Sequence, residues 1–258
     1  MRSGVKVPKN EQVSRTRNIL LQAVAAMLNG IASSDGGAQC VRLSRGVWVY
    51  EPGVKHDRVY FPGSASLSMV ATTRDGASLE LGVVGCEGFT GLSSVLGKGL
   101  EPLGCWVQQE GTAWELPGDV FAREGALADS APMRAYLAFR LSELQQLALC
   151  QQFHNATQRL CRWLLTVSDQ IKSMQVPTTQ EGISSMIGVS RPVISSLVET
   201  LESMHLARHE RGCITLLQKS GLERLSCECY RLIRRARSEY LSELMMTAGI
   251  EDVSGCPL

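Results

Sequence analysis

The segment TTQEGISSMIGVSRPVISSLVETLE, residues 178–202, carries apolar residues at helical spacing but is cut in its middle by Gly-Val-Ser and then a proline. These interruptions read as end signals. Thr178 or Thr179 can cap a first helix, and Glu181 stands three residues after Thr178, as in a capping box. Ile183, Met186 and Ile187 make that helix's apolar face. Gly188 falls where a residue with positive φ closes a helix. Ser190 is a second N-cap, and Pro192 sits in the first turn of the next helix, where a missing N–H costs little. Ile194, Leu197, Val198 and Leu201 form the second apolar face. The pattern predicts two short helices joined by a tight turn, a helix-turn-helix. The same unit also serves as plain packing, so the pattern alone leaves DNA binding and protein docking both open.

The flanking sequence sets this unit in a larger plan. LARHERGCITLLQ reads as a β-hairpin turning near Arg211-Gly212, which places a wing directly after the second helix. A final amphipathic helix is expected over residues 221–246. Upstream, residues 40–117 hold short β-type runs between Gly, Pro and Asp turns: VWVYEPG, RVYFPGS, SLSMVATTRDGASLELGVVG and GCWVQQEGTAWELPG. Asp75-Gly76 is a hairpin signal between two alternating strands. Strands so spaced, with few helices between them, predict a small antiparallel barrel or jelly roll. Residues 18–31 read as a short helix, and Asp119 as the start of another.

Ser130-Ala131-Pro132 opens a long helix expected to run to about Thr166. Leu137, Leu141, Leu144, Ala148, Gln151 and Asn155 fall on it at alternating 4,3 spacing, a coiled-coil seam whose last two members are polar. A parallel homodimer is the expected use of that seam, although the same stripe also suits packing on the chain's own barrel. The fold class is α+β. Four parts are expected: a flexible basic tail at 1–17, a sensory β-roll at 18–128, a dimerisation helix at 129–168 and a winged helix-turn-helix at 169–258.

The whole chain bounds its use. At 258 residues it can bury substantial cores, and its net charge is +1. No apolar run is long enough for a membrane span and no signal peptide opens the chain, so a cytoplasmic location is expected. Nine cysteines without a framework spacing read as reduced, mostly buried thiols. Cys227 and Cys229 are the tightest pair, and His205, His209 and Cys213 add zinc-type ligands. Residues i and i+2 do not share a helix face, and the spacing fits no standard site, so no metal is expected. There is no G-x-S-x-G, P-loop, G-x-G-x-x-G in a βαβ context or H-E-x-x-H, and His56, His154, His205 and His209 have no catalytic constellation near them in sequence. An enzyme is not expected.

The order of β-roll, long helix and winged helix-turn-helix resembles the Crp/Fnr superfamily of bacterial transcription regulators over nearly the full chain. TTQEGISSMIGVSRPVISSLVETLESMHLARHERGCITLLQKSGLERLS is similar to the family's helix-turn-helix and wing. RLCRWLL, SCECYRLIR and YEPGVKHDRVYFPGSASLSMVATTRDGASLELGVVGCEGFTGL resemble one proteobacterial branch of it. The resemblance implies a homodimer on double-stranded DNA, with the second helix in the major groove and RNA polymerase as a further partner if the protein activates. Family members commonly read bases with Arg, Glu and Arg on that helix. The matching positions here are Arg191, Pro192 and Ser196, so only the first arginine remains. Arg191 can bond bidentately to guanine. Ser195 and Val193 are further candidates for base contact, the latter through a thymine methyl. Thr179 and Gln180 match positions that hold backbone phosphates; Ser190, Arg208, His209 and Arg211 are candidates for the same role. The stretch from Ile171 onward is close to electrically neutral, which predicts modest non-specific affinity.

The family's cyclic-nucleotide members hold the ligand with a Gly-Glu start and an Arg-Ser end around a short helix. In GLSSVLGKGLEPLGCWV, Gly91 is kept, the Glu is Leu92 and the Arg-Ser is Pro102-Leu103. A buried phosphate without its arginine is heavily penalised, so the pocket is expected to be degenerate and the effector not cAMP, with Lys98 the one nearby cation. No cofactor is expected. The first cysteine is Cys40, too late for the N-terminal iron-sulfur group of some family members, and His56 alone does not make a haem site. An unknown small-molecule effector, a thiol switch at Cys86, Cys105 or Cys150, and a helix-turn-helix that docks protein remain as alternatives.

Overall fold

A computed structural model describes residues 16–28, 37–96, 100–119 and 129–250. Most of the basic tail, Lys98 and the short helix expected after Asp119 lie outside the described residues.

The first element is α1 (Ile19–Val24), continued by a 3₁₀ turn over Ala25–Leu28. Asn18 fixes it to the roll. Its side chain accepts from Leu21 N at 2.8 Å, as an N-cap does, and its amide donates to the carbonyls of Pro62 at 2.9 Å and Gly88 at 2.7 Å. Seven strands follow: β1 (Gln39–Leu43), β2 (Trp48–Tyr50), β3 (Arg58–Pro62), β4 (Ser66–Thr72), β5 (Ser78–Val84), β6 (Gly104–Gln109) and β7 (Gly111–Pro117). They form two antiparallel sheets, β1-β7-β3 and β2-β6-β4-β5. The β4–β5 hairpin turns at Asp75-Gly76 as its sequence predicts, with Thr73 N bonded to Ala77 O at 2.8 Å. The short helix α2 (Leu92–Val95) lies between β5 and β6. Between the sheets, Tyr50, Tyr60, Leu67, Met69, Val84, Cys105 and Val107 form one apolar cluster.

The long helix departs from expectation. It is two helices, α3 (Ala131–Phe153) and α4 (Ala156–Ile171), rather than one running to Thr166. Asn155 caps α4: its side chain accepts from Gln158 N at 3.0 Å, and Gln158 Oε1 accepts from Asn155 N at 3.0 Å. This capping box satisfies two end donors at once, and it removes Asn155 from any seam along α3. Asn-x-x-Gln was a readable start signal inside the apolar repeat. The two helices serve different cores. On α3, Met133, Tyr136 and Phe139 pack with α1, Phe61 and Phe89. On α4, Leu160, Trp163, Leu164 and Val167 pack with the C-terminal elements, so that core begins inside the segment read from sequence as the dimerisation helix.

Those elements are β8 (Gln175–Val176), α5 (Gln180–Ile187), α6 (Arg191–Ser203), β9 (Ala207–Glu210), β10 (Cys213–Leu216), α7 (Lys219–Leu225) and α8 (Cys229–Ala248). The wing is a three-stranded sheet, β8-β10-β9, with one strand more than the hairpin read from sequence. The final helix is also interrupted. Ser226 is extended at φ −74° and ψ 165°, which separates α7 from α8. The break lets α8 serve both cores: Tyr230 packs in the C-terminal one, while Tyr240, Leu241 and Leu244 reach the N-terminal one.

Buried polar groups join the halves. Glu80 on β5 accepts from Trp163 Nε1 at 2.9 Å and from Ser68 Oγ at 2.6 Å. Burial pushes its carboxyl up to about 7, against the opposing pull of Ser68, Arg162 and Trp163. The folded state therefore holds that proton more tightly than the unfolded chain. This contribution to stability is full below about pH 4.5 and is lost as the pH rises through about 7. Glu80→Gln, which mimics the protonated form, should flatten the decline across that window; urea midpoints measured against pH for both proteins check it. An equal decline in both would assign the pH dependence elsewhere.

Candidate DNA-binding interface

The helix-turn-helix is built by the residues that mark its ends. Thr179 is the N-cap of α5, its Oγ1 accepting from Gly182 N at 3.0 Å. Thr178 is buried and donates to Thr179 O, so the cap is the second threonine and no capping box forms with Glu181. Gly188 closes α5 at φ +63°, and Val189 N reaches Ser184 O at 3.2 Å. Ser190 precedes α6 with no side-chain capping bond, which leaves its hydroxyl toward solvent. Ile183, Ile187, Ile194, Val198 and Leu201 bury the inner faces of both helices.

The outer face of α6 carries the candidate readers. Arg191, at its first turn, has a side chain 69% exposed and stands 3.7 Å from Glu181 of α5. An exposed pair of this kind is worth at most about 1 kcal/mol, so it holds the guanidinium in place without committing it. Val193 and Ser196 are exposed with it, and Ser195 is half-buried and bonded to Glu199 at 3.5 Å. Two acidic residues thus join this surface: Glu181, read from sequence only as a capping residue, and Glu199, which sequence reading did not single out. Glu181 sits beside the arginine, and Glu199 follows Ser196 by three residues, the spacing that puts both on one helix face.

The phosphate candidates are distributed around this helix. Thr179 is exposed and Gln180 half-buried at the start of α5; the Thr179 oxygen is used as a cap acceptor, so its hydroxyl proton is what it offers a phosphate. On the wing, Arg208 pairs across from Thr215 and His209 from the buried Ile214. Successive strand residues point to opposite faces, so Arg208 and His209 do not act on the same side. His209 N also donates to Glu202 of α6 at 2.7 Å. Arg211 stands exposed at the wing turn, and Gly212 O accepts from Thr178 N at 3.0 Å, bringing the turn next to the start of α5.

Leu92 and Leu103, two of the residues read from sequence as a degenerate nucleotide pocket, are packed into apolar clusters of the roll. Gly91 has φ +92°, and a Cβ there would lie 2.4 Å from Arg58 O, so only glycine fits. Leu92 packs against the N-terminal core, Leu103 against the cluster between the sheets, and Pro102 is exposed. The buried Glu101 carboxylate accepts from Ser93 N at 2.9 Å, in the first turn of α2. Sequence reading missed this residue, one position before Pro102. Burial raises its carboxyl, with the Ser93 bonds opposing. Glu101 thus sets a buried carboxyl group against the first turn of α2, next to Pro102. Of the proposed thiol switches, Cys105 is buried and pushed up to about 12 by that burial, the opposite of a reactive thiolate, and Cys86 is disulfide-bonded, contrary to the reduced thiol expected from sequence.

Residues 158–225 match the Crp-like helix-turn-helix domain. This chain carries a Crp-like helix-turn-helix domain on a Crp/Fnr-type fold. The Crp-like domain begins in the first turn of α4, in agreement with the core that α4 helps to build. The fold is similar to that of a CRP-family transcriptional regulator from Thermus thermophilus, at 20% identity over 72% of this chain and 95% of that one, with a TM-score of 0.63. It is similar to the c-di-GMP-responsive global regulator CLP of Xanthomonas campestris, at 18% identity over 76% and 98%, TM-score 0.62. FixK2 of Bradyrhizobium japonicum gives 14% identity over 74% and 98%, TM-score 0.61. No curated protein sequence matches the chain. Among the described residues no helix is long and apolar enough to cross a membrane.

The turn of the Crp-like domain is testable at Gly188. A Cβ there has ordinary room, 3.6 Å from Leu79 Cδ1, so Gly188→Ala carries the conformational cost alone. The variant should be destabilised by about 1–2 kcal/mol in chemical denaturation without a change of fold.

Proposed function

We propose that the chain is a homodimeric transcription regulator that binds a two-fold-related DNA site through Arg191 and does not require cAMP. The observation that carries this reading is the exposed Arg191 guanidinium at the first turn of α6, with the wing and the start of α5 beside it, on a Crp-like domain. Arg191 is the principal base reader. Val193, Ser195 and Ser196 supply the remaining edge contacts, and the operator therefore differs from one read by Arg, Glu and Arg. Thr179, Gln180, Ser190, Arg208 and Arg211 position the backbone, with His209 on the face of β9 opposite to Arg208.

The dimer reading is supported by α3. Leu141 is 58% exposed and Leu149 42%, with Phe153 at 75%, and Ala148 is exposed on the same side. These residues recur at helical spacing and leave an apolar stripe that a second copy would cover. The stripe differs in part from the seam read in the sequence. Leu137 packs against the chain's own core, Leu144 is half-buried, and Gln151 accepts from Arg159 of α4. A two-fold dimer presents two copies of α6 and so asks for a palindromic site. Absence of cAMP dependence is supported by Leu92, Pro102 and Leu103 and by the Glu101 carboxylate.

Selection from random DNA by the purified protein, without nucleotide, should yield a two-fold motif. Arg191→Ala should lower affinity for that motif about tenfold or more while leaving non-specific binding nearly unchanged. Retained preference in the variant would remove Arg191 from its role. The near-neutral C-terminal region also suits a protein-docking helix-turn-helix, and that reading predicts no enriched motif and little dependence on salt. Phe153→Asp should give a folded monomer in sedimentation; a dimer that persists would place the interface elsewhere.

A further inference from the structure

Cys150, His154, Cys227 and Cys229 bring three sulfurs and an imidazole nitrogen within 4.8 Å of one another. They are one group among the described residues able to hold a metal ion, and they differ from the set available by sequence proximity. His205, His209 and Cys213 have no part in it. Cys150 lies in the last turn of α3 and His154, four residues on, is its C-cap, with His154 N bonded to Cys150 O at 3.2 Å. Cys227 and Cys229 come from the break between α7 and α8. The objection that i and i+2 point apart on a helix does not apply, because Cys227 precedes the helix and only Cys229 lies within it.

The geometry is that of a single ion. Cys150 Sγ and Cys227 Sγ are 3.5 Å apart, and Cys229 Sγ is 3.3 Å from His154 Nδ1. With zinc–sulfur bonds of about 2.3 Å and zinc–nitrogen bonds of about 2.0–2.1 Å, the ligands of a tetrahedral site lie this close to one another. The thiolates of a multi-iron cluster would be spread over several irons. The surroundings fit as well. His154 Nε2 is 3.3 Å from Glu228 Oε1, which leaves Nδ1 as the ligand and orients the ring through a carboxylate. Gln146 Nε2 donates to Cys229 Sγ at 3.1 Å. Three thiolates against a dication leave one net negative charge. Arg162 is buried, its field acts on Cys150, and its Nε has no hydrogen-bond partner.

We propose that Cys150, His154, Cys227 and Cys229 form a structural zinc site that pins the end of α3 to the start of α8. The site sits where α3 gives way to α4, and Tyr230, the residue after Cys229, enters the core of the Crp-like domain. The ion therefore fixes how the long helix joins the DNA-binding half. This holds whether or not the chain reads DNA.

The test uses the full chain, purified under reducing conditions. Elemental analysis should find one zinc per chain. After chelation, Co²⁺ should bind with the visible bands of a tetrahedral ion and a thiolate-to-metal absorption in the near ultraviolet. Cys227→Ser and Cys229→Ser should each weaken zinc binding by at least about tenfold. Cys161→Ser, on α4 and outside the group, should leave it unchanged. Protein that takes up neither zinc nor Co²⁺ after reduction overturns the proposal, as does a Cys150–Cys227 disulfide in anaerobically prepared protein. Because wild-type protein is titrated directly, a variant that fails to fold does not decide the result.

Discussion

The two halves of the molecule depend on the way Glu87 is held. Its carboxylate is buried three residues past the end of β5, accepts from Gly85 N at 2.9 Å and receives Arg237 Nη2 of α8 at 2.8 Å. Gln170 of α4 joins from the side, bonded to Arg237 at 3.2 Å. Tyr240 donates to the Glu87 carbonyl at 2.7 Å. Burial by itself would raise the carboxyl, but the Arg237 charge and the Gly85 N–H outweigh it and hold it below the ordinary value. Removing one member of such a buried pair strands the other and costs about 3–5 kcal/mol, far more than the same pair would contribute at the surface. One residue of the roll thus fixes the last helix and, through Gln170, the helix that begins the Crp-like domain.

Glu80 makes the second such joint, and the two differ in character. Glu87 is satisfied by a full cation and stays charged. Glu80 has no cation bonded to it, and the Ser68 and Trp163 donors with the field of Arg162 do not offset its burial, so its carboxyl is raised where that of Glu87 is lowered. The apolar packing between these joints adds surface but no direction. The β5 side chain of Leu79 lies against Gly188 in the helix-turn-helix, so the turn of the DNA-binding unit rests on the roll. The roll and the helix-turn-helix are therefore in direct contact, and α6 keeps its outer face toward solvent.

Much of the C-terminal third was legible because its signals are local. Gly188, Pro192 and the Arg211-Gly212 turn each state a backbone requirement within a few residues, and α5, α6 and the wing lie where those signals put them. Asp75-Gly76 did the same for the β4–β5 hairpin. The misreadings arose where periodicity ran on through a break. The apolar repeat across residues 137–155 hid Asn155 and Gln158, which close a capping box and start a new helix. Ser226 carried no glycine or proline to announce that α7 ends. The contact between Arg191 and Glu181 was hidden for another reason: the two stand on different helices, and only the turn angle brings them together.

By itself the sequence determined the element types, the helix-turn-helix with its wing, and the presence of Leu92 and Pro102-Leu103 after Gly91. These follow from spacing and residue chemistry that act over one or two turns of chain. Tertiary structure alone decided which apolar face of α3 is spent on the core and which stays open. It alone placed Glu101 against the first turn of α2. It alone brought Cys150 and His154 to Cys227 and Cys229 across 77 residues separating Cys150 from Cys227. Contacts of that range depend on how far α8 folds back along α3, and no local pattern of residues encodes that path.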